Sequence, residues 1–109
     1  MANQINFEYN GKHYCLEYTR DSIKQMEAAG FNPNEVGNTP AIALDMMWSG
    51  AFIANHRNVS STVIKSLYDK MKNKNELFEK MKDMIAETYE SLLAENEGDE
   101  GNVDWTATL

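Results

Sequence analysis

Apolar and polar residues alternate over Ile5-Asn6-Phe7-Glu8-Tyr9 and again over Tyr14-Cys15-Leu16-Glu17-Tyr18, the period of a half-buried strand. Between them lies Asn10-Gly11, a pair that tolerates the two positive φ angles of a type I′ turn. Residues 5–18 therefore predict a β-hairpin. Two strands alone are marginal in water, so their apolar face must rest on helices. Thr19 is the expected cap of a helix over about 20–29 that buries Ile23 and Met26 and stops at Gly30. Asn32-Pro33 and Gly37-Asn38 mark residues 31–38 as a loop.

Residues 40–56 carry a different pattern. Thr39 is a plausible N-cap and Pro40 suits the first helical position, so a helix is predicted here. At about 100° per residue, Asp45, Ser49 and His56 fall in one narrow stripe. Ile42, Met46 and Ile53 flank it on one side, Trp48 and Phe52 on the other. Ala43, Gly50 and Ala54 line the far side, where another helix can approach closely. A surface helix normally keeps about half its circumference polar, so this one calls for cover nearly all round. The cover could come from this chain or from outside it.

After a turn at 57–60, with Ser60 as the expected cap, Val63, Ile64, Leu67, Tyr68 and Met71 make one stripe of a helix over 61–72. A break at Asn73–Asn75 precedes a helix over 76–94, apolar at Leu77, Phe78, Met81, Met84, Ile85, Tyr89 and Leu92 and charged on its outer face. The fold class predicted is α+β, mainly α: one domain over 1–95, a hairpin packed on about four helices. From 96 onward Gly, Asp, Glu and Asn dominate, which reads as a flexible acidic tail over 96–109.

Charge sharpens that division. Ten basic and seventeen acidic residues give −7, which disfavours non-specific binding to nucleic acid or anionic membranes. Five of the acids, Glu95, Glu97, Asp99, Glu100 and Asp104, lie beyond Ala94 with no Lys or Arg among them, leaving the body at −2. Cys15 stands alone, so no intrachain disulfide is expected, and a reducing compartment fits. The chain opens without a secretory pattern, and Asp45, Ser49 and Asn55 interrupt the longest apolar stretch, so a cytoplasmic protein is expected.

The candidate chemistry is sparse. His13 and His56 sit on different elements, and neither has a His or Cys at metal-ligand spacing. His13 falls on the polar face of the hairpin. His56 reads as a structural or capping residue, its imidazolium suited to the negative end of a helix dipole. Cys15 has no local base to activate it. No phosphate loop, nucleophile elbow or paired-carboxylate motif occurs, so neither an enzyme nor a cofactor or metal site is expected.

The methionines say more. Six internal ones, Met26, Met46, Met47, Met71, Met81 and Met84, are many for 109 residues, and Met is over-used where a surface accepts varied apolar partners. Core filling is the plain reading for Met26, Met71, Met81 and Met84. For Met46, Met47 and Trp48 core and contact surface stay open. With Phe52 and Ile53 they are the expected protein-binding residues, because aromatic side chains anchor interfaces. Trp105 joins them as a lone Trp in a polar tail, free to dock as a short motif or to add a strand to the hairpin edge.

Several segments together resemble a known family. Phe7-Glu8-Tyr9-Asn10-Gly11-Lys12, Tyr14 to Ser22, Met26-Glu27-Ala28-Ala29-Gly30-Phe31, Trp48-Ser49-Gly50-Ala51-Phe52 with His56, and Gly101-Asn102-Val103-Asp104-Trp105 are similar to small proteins of phage tail-gene modules in Gram-positive bacteria. That family resembles the tail assembly chaperones of long, non-contractile-tailed phages. The resemblance implies a protein that coats the tape measure protein, keeps it soluble, helps recruit tail tube subunits and is absent from the mature virion. With it the expected location becomes the cytoplasm of the bacterial host; a homo-oligomer stays open, and the acidic charge argues against nucleic-acid or membrane partners. Such genes often also yield a longer product by frameshifting. Two rival readings remain: a small acidic inhibitor of a host nucleic-acid enzyme, or a minor structural connector of the tail. A charge excess gathered in a flexible tail suits a mimic of nucleic acid poorly.

Overall fold

A computed structural model describes residues 4–93, 103 and 105–107. The architecture is α+β and mainly α, an N-terminal antiparallel hairpin with four helices. The strands are β1 (Ile5–Tyr9) and β2 (Lys12–Leu16). Asn10 at φ 52° and Gly11 at φ 77° form the turn between them, as a type I′ turn demands. The register pairs Tyr9 with Lys12, Phe7 with Tyr14 and Ile5 with Leu16. The period-2 pattern thus puts one apolar row inward, and Tyr14 and Leu16 are buried.

Helix α1 runs Arg20–Ala28. Thr19 and Ser22 close a reciprocal cap: Ser22 N–H donates to Thr19 Oγ1 at 3.0 Å and Thr19 N–H to Ser22 Oγ at 2.8 Å. Its end is a Schellman arrangement, with Gly30 N–H donating to Glu27 O and Phe31 N–H to Met26 O, both at 2.9 Å. Gly30 takes φ 107°, a value that glycine adopts without strain. The expected loop that follows contains a short 3-10 turn at Pro33–Glu35.

Helix α2 spans Pro40–Gly50, shorter than the predicted 40–56. Thr39 precedes it at φ −130° and ψ 65°, and its hydroxyl donates back to Glu35 O at 3.2 Å and caps no helical N–H. Helix α3 is Ser61–Lys70, capped by Ser60 as expected, with Val63 N–H at 3.3 Å from Ser60 Oγ. Helix α4 is Lys74–Leu93, starting two residues before the predicted 76. The break falls at 71–73, with Met71 extended and Asn73 at φ 56°, and the Asn73 carbonyl already accepts from Leu77 N–H at 2.9 Å. Lys74 Nζ then donates to Met71 O at 2.9 Å and Asp69 O at 3.3 Å, supplying cationic donors to the carbonyl end of α3.

The core lies between the hairpin, α2 and the inner faces of the other helices. Its centre is Leu16, Ile23, Met47, Phe52 and Met81, all less than 3% exposed. Two hydrogen bonds tie distant parts: Tyr18 Oη donates to Met47 O, and an Arg20 Nη donates to Ser91 O in the last turn of α4. The expected acidic tail lies outside the described residues apart from 103 and 105–107.

Candidate functional site

The apolar segment at 40–56 divides into two unlike halves. From Met47 to Phe52 it is core, apart from the half-buried Ser49. Met47 is 0% exposed, Trp48 2% and Phe52 1%, so these three residues leave the contact surface expected for them. The cover comes from this same chain, since the hairpin supplies the aromatic lid that the sequence left without an owner. Trp48 meets Phe52 edge-on at 5.2 Å and Tyr68 at 5.6 Å between ring centroids. Phe7 stacks on Tyr14 at 5.0 Å, and Tyr14 meets Phe52 at 6.1 Å. Trp48 Nε1–H donates to Ile64 O at 2.7 Å, so the indole enters the core with its polar atom satisfied.

The small-residue side behaves as anticipated. Gly50 faces α1 so closely that a Cβ there would lie 2.4 Å from Met26 Sδ and 2.7 Å from Cγ. Ala43 is buried on the same side, and Ala54 is half-buried.

Residues 51–56 leave the helix because they have a second task. Phe52 and Ile53 N–H fall back to i−3 carbonyls, both at 3.2 Å, and the freed groups cover the outer edge of β2. Glu17 N–H donates to Ala51 O at 3.2 Å, Cys15 N–H donates to His56 Nε2 at 3.0 Å, and Asn55 Nδ2 donates to Cys15 O at 3.1 Å. His56 is therefore structural, but not as an imidazolium at a helix end: an accepting Nε2 requires the neutral ring. Burial first, and the Lys12 charge second, hold its pKa below the ordinary 6.5. The thiol of Cys15 is pushed up by burial and then by Glu17, which keeps it protonated and unreactive.

The N-terminal half of α2 is open. Ile42 is 63% exposed, Ala41 and Asp45 are exposed, and Leu44 and Met46 are half-buried against the core. Between α2 and α3 lies a cleft of about 300 Å³, with Leu44, Trp48 and Tyr68 as its apolar lining and Asp45, Lys65 and Asp69 as its charged lining. Of the expected binding residues, Met46 and Ile53 keep partial access and Trp105 is 81% exposed. Sequence reasoning missed Ile42 and Tyr68. The signal was present for Ile42, which lies about 60° from Asp45 around the helix and so shares its solvent side.

A second groove, of about 210 Å³, runs between Phe31, Pro33 and Val36 on one side and Ile85, Ala86 and Tyr89 of α4 on the other. Tyr89 Oη donates to Glu27 at 2.7 Å, and burial followed by that carboxylate pushes its pKa to about 12. Among the described residues no group of three His, Cys, Asp or Glu could hold a metal, and no helix is long and apolar enough to cross a membrane.

Comparison with known proteins places this arrangement in a family. A model described as "Domain of unknown function (DUF5055)" matches residues 1–109, so the chain belongs to that family. No curated protein and no solved structure matches it.

Proposed function

We propose that this DUF5055 member is a phage tail assembly chaperone, which holds the tape measure protein in soluble form and helps bring tail tube subunits to it. The reading starts from the resemblance of the hairpin, the α1 end and the Trp48–Phe52 segment to that family. One observation supports it physically: α2 leaves Ile42 63% exposed, and its Ala41, Leu44 and Asp45 line a cleft with α3. A tape measure protein is a long helix whose apolar stripe needs cover until the tube closes round it. An amphipathic helix docks by placing anchors spaced i, i+3, i+4 and i+7 into such a groove. Asp45 and Asp69 favour a client helix with Lys or Arg beside its apolar stripe, and Lys65 pairs with an acid on the same client. Many weak grooves acting along one filament add up through effective concentration.

Co-expression with the tape measure gene is the test. The Ala41→Asp plus Ile42→Asp variant changes only exposed side chains, so it keeps its circular dichroism spectrum and its own solubility. The tape measure protein is expected to stay soluble with the wild-type chain and to pellet with the variant. Equal protection by the variant would remove α2 as the contact. Absence of protection by the wild-type chain, or the chain's presence in purified virions, would remove the chaperone reading itself.

A further inference from the structure

One cavity of this acidic chain is lined by positive charge without negative. Between the turn end of β2 and residues 55–60, the segment that leads into α3, lies a hollow of about 490 Å³. Lys12 and Arg57 line it, and among the described residues no Asp or Glu does, although the chain carries seventeen acids. Lys12 pairs with no described carboxylate; its ammonium lies 5.1 Å from the centre of the Tyr14 ring, which also lines the hollow. Arg57 meets Asp21 at 3.1 Å with both side chains more than half exposed, a pair that water holds weakly. His56 adds a donor to the same lining. Its Nε2 accepts from Cys15 N–H, so the neutral ring carries its proton on Nδ1, and no described residue accepts from that nitrogen. The ring also feels the local field: burial first, Lys12 next and His13 more weakly hold its pKa below the ordinary value.

We propose that this cavity binds a small phosphate monoester, with its phosphate group held by Lys12, Arg57 and the His56 N–H. A phosphate dianion calls for two opposite charges and several donors. An ammonium, a guanidinium fork and an imidazole N–H supply both, whereas a carboxylate would use only one of the two charges. The volume is that of a small-molecule pocket, and a bare phosphate ion would leave most of it empty. Val59 and Val63 give it an apolar side, on which the organic body of an ester can rest. The cavity shares no lining residue with the α2–α3 cleft, so the inference stands apart from the tail-assembly reading.

The experiment titrates phenyl phosphate, inorganic phosphate and phenol into the full chain at constant ionic strength, followed by NMR. Phenyl phosphate is expected to shift the backbone amides of Lys12, His56 and Asn58 and to raise the His56 pKa, since a bound anion favours the imidazolium. Inorganic phosphate should act more weakly, and phenol should not act. Lys12→Ala and Arg57→Ala change exposed side chains, so both variants fold. Each should weaken binding roughly three- to five-fold, the worth of an exposed charge pair. Lys80→Ala on α4 removes the same charge elsewhere and should leave binding unchanged. The inference is overturned by any of four results: no shift with phenyl phosphate, an unmoved His56 pKa on binding, equal weakening by Lys80→Ala, or equal affinity for inorganic phosphate. The last would mark a general anion surface.

Discussion

Two halves of one apolar stretch meet opposite fates. Residues 47–52 are covered by the hairpin and helices, with Met47, Trp48 and Phe52 no more than 2% exposed, and 55–56 bind the edge of β2. Residues 41–46 belong to the same stretch, yet Ile42 stands 63% in solvent and Ala41 and Asp45 are exposed with it. Composition does not separate the halves, but what arrives from elsewhere in the chain does. β2 and the ring stack of Phe7 and Tyr14 reach only the C-terminal half, and α3 grips the other along one flank. An excess of apolar surface is therefore partly a fold requirement and partly a remainder left in solvent.

Substitutions can separate the two roles. Phe52→Ala strikes the covered half and should cost about 3–5 kcal/mol in urea denaturation, a large part of the stability of a domain this size. A loss under 1 kcal/mol would mean that the lid over this half is loose. Gly50→Ala forces Met26 away from α2 and should cost about 1–3 kcal/mol by overpacking. Pairing it with Met26→Ala should recover part of that loss if the clash is its source.

A smaller effect comes from His56. Its folded pKa lies below the unfolded 6.5, so its contribution is fully present above pH 6.5 and declines as pH falls below that value. Thermal melts between pH 7.5 and 5.5 should show a loss of stability that His56→Gln reduces, because the amide neither charges nor changes as a hydrogen-bond partner. The least effect belongs to the open half. Ile42→Ser should shift stability by no more than about 0.5 kcal/mol while weakening client protection, the inverse of the Phe52 result.

Local chemistry made much of the fold legible. Asn10-Gly11 dictates its turn, Thr19 with Ser22 and Gly30 bracket α1, and Ser60 opens α3, because each acts on backbone within a few residues. The end of α2 was illegible for the opposite reason. Ala51, Asn55 and His56 are good enough helix residues locally, but they are claimed by Cys15 and Glu17 some forty positions earlier in the chain. Tertiary competition of that kind leaves no local trace. The same limit explains the site. Trp48 and Phe52 read as interface anchors because their residue type suits a partner as well as a core. Only the path of the hairpin decides between them. Ile42 was visible as an exposed flank but carries no chemistry of its own to single it out.

The ties between hairpin and α2 also set an order of events at the ribosome. Tyr18 waits for Met47, 29 positions on, and Cys15 for His56, 41 positions on. Synthesis runs from the N-terminus at about 5–20 residues per second. A growing chain therefore carries Phe7, Tyr14 and Leu16 uncovered for several seconds before their support emerges. During that interval the nascent hairpin is itself a bare apolar ribbon, and the speed with which α2 follows decides how long it stays one.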